Sequence, residues 1–195
     1  MTVGGAELLA GLITAAFQAA PYPGHAFLQG SFDGCEPADE IAHFKGHAHW
    51  AELEPAFLDA RYCALSFFSE AGFRFYLPAY LTADIRRQLR TADPAFHLTH
   101  GFSDRSYEER REAEPWCPAG EAPTSSIRGA MGRSRGRTMP AEEAAAIVAY
   151  LRWRQRAEQV TDENESRGID AALTGFWLER ARSAPTVADL AARLY

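Results

Sequence analysis

Between Ser69 and Leu89 the chain places Phe73, Tyr76, Leu77, Tyr80, Leu81, Ile85 and Leu89 at three- and four-residue intervals. Only a helix turns that spacing into one apolar face. Ser69 stands ahead of the run as an N-cap. Pro78 inside it is expected to kink or restart the helix, because proline brings no N–H to the ladder. The same interval recurs along the chain. Leu8, Leu9, Leu12, Ile13, Ala16 and Phe17 predict an amphipathic helix over 5–19, stopped by Pro21, Pro23 and Gly24. A further helix is expected to start at Pro37, where a fixed φ and a missing N–H cost nothing. In "MPAEEAAAIVAYLRWRQRAEQ", Pro140 suits a first turn, Glu142 and Glu143 sit near the positive helix end, and arginines follow. "IDAALTGFWLERAR" repeats the pattern, and a last helix begins at Thr186 with Asp189 three residues on. Only "HAFLQGSFDG", near residues 26–32, suggests a small extended element. The expectation is a mainly α protein: one helical domain over 1–195, of six or seven helices.

At 195 residues and 47% hydrophobic composition the chain is long and apolar enough to bury a core. Acidic residues outnumber basic ones 26 to 20, a net charge of -6 that argues against a generally basic nucleic-acid binder. Lys45 is the sole lysine, an arginine bias expected of a GC-rich bacterial genome. Cys35, Cys63 and Cys117 are odd in number and lack a C-x-x-C spacing, which fits a reducing cytoplasm better than a disulfide framework. The opening residues carry no Lys or Arg and include Glu7, so they are read as a helix and neither as a signal peptide nor as a membrane span. From Thr91 to Arg137 the periodicity dissolves, and residues 103–137 are expected to form a long, charged, mobile surface excursion.

The stretch "FFSEAGFRFYLPAYL", residues 67–81, resembles the core signature of a family of bacterial proteins of unknown function. The resemblance extends to "ITAAF" (Ile13 to Phe17), "PYPG" (Tyr22 to Gly24 with the proline before it), Gly46 and Trp50, and a closing E-E-x-x-x-I/V-x-x-Y/F-L helix that reaches Leu151. It covers residues 8–100 and 138–178 and implies no activity. The chain departs from the pattern in its arginine-rich 103–137 stretch and in its histidines. Phe73, Phe75, Tyr76 and Tyr80 are expected in the core, given the area that aromatic rings bury.

Three of the six histidines lie in "IAHFKGHAHW". On one continuous helix His43 and His47 would share a face with Asp39 one turn earlier, and with His49 and Cys35, or Glu40 or His25, they would offer ligands for a divalent metal. Gly46 opposes this. It is better placed as the left-handed residue that ends the helix after Lys45, which separates His43 from His47 and His49. Glu40 and His43 make one Glu-x-x-His element where a di-iron bundle needs two, and His-Glu-x-x-His is absent. The histidines are therefore read first as a helix end, with the metal site as the alternative.

Gly132-Arg133-Ser134-Arg135-Gly136 matches G-x-S-x-G, but no buried strand precedes it, so a nucleophile elbow is not expected. Arg128, Arg133, Arg135 and Arg137 form an acid-free run suited to an anion or an acidic partner, although pairing with Glu108, Glu109, Glu112 and Glu114 is the commoner fate of such residues. Cys117 beside Trp116 lacks a histidine partner in sequence. No nucleotide-binding glycine motif occurs, and no cofactor is expected unless the histidines hold a metal. The leading expectation is a non-enzymatic interaction module whose partner is another protein. A metal-binding protein or metal-dependent hydrolase comes second, and anion or nucleic-acid binding through Arg128 to Arg137 third.

Overall fold

The computed structural model describes residues 3–32, 34–100, 138–156 and 163–192. Among them it is mainly helical, with no β-strand. The expected excursion at 103–137, with Cys117, Gly132 to Gly136 and the four arginines from Arg128 to Arg137, lies outside the described residues.

The first helix, α1 (Val3–Phe17), turns Ala10, Ile13 and Phe17 inward, each fully buried. Pro21 and Pro23 follow it, and His25–Phe27 then forms a single 3-10 turn. The extended element expected near 26–32 reduces to one antiparallel bridge, Gln29 to Phe68. The cause is a close crossing. A Cβ at Gly30 would stand 2.5 Å from the Phe68 carbonyl oxygen and 2.6 Å from Ser69 Cα, and beyond Ser69 the partner segment turns into a helix, so pairing cannot propagate.

α2 (Glu36–Ala42) carries Pro37 in its first turn. It ends before the histidines, and Gly46 takes a φ of 97° in the turn that follows, a conformation that glycine adopts without steric cost. A 3-10 turn at Trp50–Glu52 leads to two short helices, α3 (Pro55–Ala60) and α4 (Ala64–Phe67).

α5 (Glu70–Ile85) is the central helix. The Ser69 hydroxyl caps it by accepting from Gly72 N–H at 3.0 Å. The helix runs unbroken through Pro78, against expectation. Proline withholds one ladder bond at a cost of about 3 kcal/mol, but Phe75 to Ile85 are all buried, and enclosure on every side outweighs a single defect. The Thr82 hydroxyl also donates to the Pro78 carbonyl at 2.8 Å. Most of the FRFYLPAYL residues thereby have a structural account. Phe73, Phe75, Leu77 and Leu81 fill the core. The Tyr76 hydroxyl reaches the His47 carbonyl at 2.7 Å, and the Tyr80 hydroxyl donates to the Arg61 carbonyl at 2.8 Å, so the motif clamps the irregular segments around it. Phe44, Phe68 and Tyr76 form an aromatic cluster with centroids 4.8 to 4.9 Å apart.

α6 (Pro94–Thr99) is capped by Asp93, whose carboxylate accepts from Ala95 and Phe96 N–H. α7 (Ala141–Arg156) packs against α1. α8 (Glu163–Ala172) passes through a π-helical turn, Leu173–Trp177, into α9 (Leu178–Ser183), which lies along α7. α10 (Val187–Ala192) is capped by Thr186 ahead of it and Asp189 in its first turn, which bond reciprocally at 2.9 and 3.1 Å. In place of six or seven helices, the described residues form a larger set of shorter ones, because Pro37, Pro55 and Pro94 each open a new first turn. Among the described residues no helix is long and apolar enough to cross a membrane.

Candidate functional site

α1 has two apolar sides. One faces α5 and α7, while Leu8, Gly11, Leu12, Ala15 and Ala19 are exposed on the other. Leu8 keeps 78% of its surface in water and Leu12 47%. Beside them a groove of about 580 Å3 runs between α1 and α7. Leu12, Ala15, Ala16 and Ala19 form one wall, Ala145 and Ala146 the other, and Val187 of α10 closes an end. Small side chains make the hollow: alanine on both helices leaves a volume that larger residues would fill. Glu142 at its rim accepts from Val187 N–H at 3.2 to 3.3 Å, which ties the start of α10 to the groove's edge.

The buried charges serve a different purpose. The Arg74 guanidinium grips the Glu143 carboxylate through Nε and Nη2 at 2.7 to 3.0 Å, and Glu143 is fully buried. Burial pushes its carboxyl above the usual range, although Arg74 pulls the other way. This pair joins α5 to α7. A second network surrounds Arg154. The Tyr150 hydroxyl donates to Asp84 at 2.6 Å, Arg154 reaches Asp84 at 3.2 Å and Glu165 at 2.8 Å, and Asp93 stands at 3.8 Å. Burial raises the Asp84 carboxyl despite the Tyr150 hydrogen bond and the Arg154 charge. Burial works against the Arg154 cation, yet Asp84 and Glu165 hold it charged. Four segments meet on this one arginine, so its ionisable partners are spent on joining helices.

A second, more polar cleft of about 350 Å3 borders Trp50, Glu52, Glu54 and Gln88. Its arginine, Arg86, is already engaged by Glu7 at 3.0 and 3.1 Å. Near Tyr80, the buried atoms Glu40 Oε2 and Arg61 Nε have no hydrogen-bond partner among the described residues.

The candidate metal ligands fall on different local elements. Cys35 and Asp39 lie at the start of α2, His43 caps its end, His47 follows the Gly46 turn and His49 precedes the Trp50 turn. Cys35, Asp39, His43, His47 and His49 are all exposed. The His47 ring lies 5.2 Å from Phe57, and His25 meets the edge of Tyr22 at 5.9 Å. Among the described residues no three or more His, Cys, Asp and Glu side chains are grouped to hold a metal ion. His43 and His47 share no helix, since α2 ends at Ala42.

Sequence reasoning missed the groove and the Asp84 network. A signal existed for the first: Leu8 and Leu12, four apart, widen the α1 stripe to the far side of a helix whose sole charge is Glu7. Nothing in the order of residues brings Tyr150 to Asp84, 66 positions away.

Fold and groove together define a helical protein in which, among the described residues, an apolar channel runs open along one side. The chain belongs to a family of unknown function, DUF6714, matched over residues 7–115. The groove's α1 wall falls within the matched residues and its α7 wall beyond them, as does the 138–178 part of the resemblance. No curated protein and no solved structure matches the chain.

Proposed function

We propose that the chain is one helical domain acting as a non-enzymatic protein-interaction module in the bacterial cytoplasm, with the groove between α1 and α7 as its docking surface. The observation that carries this reading is the pairing of an alanine-lined hollow with Leu8 and Leu12, exposed by 78% and 47% on the helix that forms its wall. Fully burying a leucine side chain is worth about 1.5–3 kcal/mol. Two leucines beside a preformed apolar groove make the arrangement in which a helix of another chain is held by its apolar face. The charge on α1 does not interfere, because Glu7 is tied to Arg86.

Photo-crosslinking amino acids at Leu12 and Ala145 test the reading in the cells that make the protein. Adducts from both positions are expected, well above those from the exposed control position Glu179. Groove positions that label no more than Glu179 would refute it. Repeating the experiment without residues 103–137 tests whether that charged stretch adds to the contact.

A further inference from the structure

We infer that the occupant of the groove is a second copy of this chain, seated on α1 by two-fold symmetry. The inference rests on the groove being a docking surface and names what docks there. A two-fold interface must be self-complementary, each copy presenting both the projection and the hollow that receives it. α1 presents both. Leu8 is the projection, 78% exposed, and the alanine channel at Ala15 and Ala19 is the hollow. Leu8 and Ala15 are seven residues apart, which in a helix is about 10 Å along the axis and within about 20° of the same side.

The midpoint of Leu8 and Ala15 falls between Gly11 and Leu12. An axis through it, perpendicular to an antiparallel pair of α1 helices, places each Leu8 on the other copy's Ala15. At that crossing point Gly11 carries no side chain, and nothing among the described residues stands within 4 Å of where a Cβ would be, so two backbones can approach closely on that side.

Charge agrees with this arrangement. The chain carries -6 overall, so a side nearly free of charge is where two copies repel each other least. α1 has one ionisable side chain, Glu7, neutralised by Arg86. The same lack of Lys and Arg on α1 speaks against an anionic lipid surface as occupant. Area sets the strength. A 15-residue helix is about 22 Å long, and an α1 pair that reaches the rims formed by α7 and α10 buries on the order of 1,000 Å2, the lower bound for a specific interface. The dimer should therefore dissociate on dilution.

Sedimentation equilibrium of the full chain is the test, alongside Leu8→Glu, which sets a carboxylate into each hollow, and Gly11→Cys. The expected result is a mass moving from twice 21.5 kDa toward the single chain on dilution. Leu8→Glu should weaken association by roughly tenfold or more and leave the melting temperature unchanged at dilutions where both proteins are single chains, which shows that it still folds. Mild oxidation of the Gly11→Cys variant should join the two copies by a disulfide between the introduced thiols, identified by mass spectrometry of the linked peptides. A wild-type protein that is monomeric at every concentration overturns the inference. So does a dimer that survives Leu8→Glu and forms no such disulfide, since it would associate elsewhere. If the wild type is monomeric while Leu12 crosslinks to a different protein, the docking surface stands and the second copy falls. If α1 is protected from hydrogen exchange in a monomer only while residues 103–137 are present, the chain covers its own groove and the inference is likewise overturned.

Discussion

α1 and α5 are helices of 15 and 16 residues, both apolar around most of their circumference, and they have opposite surroundings. α5 is enclosed on all sides, so even Pro78, Thr82 and Asp84 within it are buried. α1 is enclosed on one side and leaves Leu8 and Leu12 in water on the other. A helix apolar all round is stable in water only where other elements surround it. α5 has that cover from its own chain, through tyrosine clamps, an aromatic cluster and two buried arginine networks. Among the described residues α1 lacks half of it, and that difference between the two helices is the ground for the proposed docking surface.

The comparison breaks most readily at α5. Arg74→Ala would strand the buried Glu143 carboxylate and is expected to cost about 3–5 kcal/mol in urea unfolding, whereas Arg74→Met combined with Glu143→Leu should recover most of it. Leu81→Ala should cost about 2–5 kcal/mol, while Leu8→Ala on α1 should stay within about 0.5 kcal/mol and yet weaken the crosslink from Leu12. Tyr80→Phe, which removes the donor to the Arg61 carbonyl, should cost about 1–3 kcal/mol.

The pH dependence sharpens the same contrast. Burial raises the folded-state carboxyl of Asp84, so its contribution to stability is fully present below the unfolded carboxylate pKa of about 4 and is lost as pH rises through the folded value. Asp59 behaves oppositely. Burial pushes it up, but the backbone N–H groups of Ala92, Thr91 and Arg90 outweigh that and hold its carboxyl low. Its contribution is present above about pH 4 and is lost on acidification. Between about pH 4 and neutrality, Asp84→Asn should flatten the decline seen in the wild type, and Asp59→Asn should weaken the fold above about pH 4. The smallest effect is expected from changing His43, His47 and His49 together to alanine. All three are exposed, and the melting curve should shift by less than about 0.5 kcal/mol.

Much of the fold is legible in the sequence because helical periodicity is local. The stripe from Phe73 to Ile85, the Ser69 cap, the first turn at Pro37 and the Thr186 and Asp189 cap each need only a few neighbouring residues to be read. Pro78 misleads for the converse reason: its local penalty is real, but burial of eleven consecutive residues, Phe75 to Ile85, is a tertiary fact. The extended element near 26–32 does not form because Gly30 crosses Ser69 at a distance no sequence pattern announces. Gly46 does take the left-handed conformation read from the sequence, but α2 stops at Ala42, short of the expected end at Lys45, so His43 already lies outside the helix. The groove is half legible. Leu8 and Leu12 show that α1 is too apolar for one buried side, but only the approach of Ala145 and Val187, more than 120 residues on, turns that excess into a channel.

Carbene footprinting of Leu8 and Leu12 in living cells tests most directly whether the outward side of α1 is covered when the protein works. Phe32, 77% exposed, and Leu8, 78% exposed, are equally open in the single chain, so Phe32 is the internal standard. Leu8 and Leu12 are expected to label several-fold less than Phe32 in cells and to approach it in dilute purified protein. Equal labelling of Leu8 and Phe32 in cells would mean that α1 meets water on that side, and the docking surface would not exist.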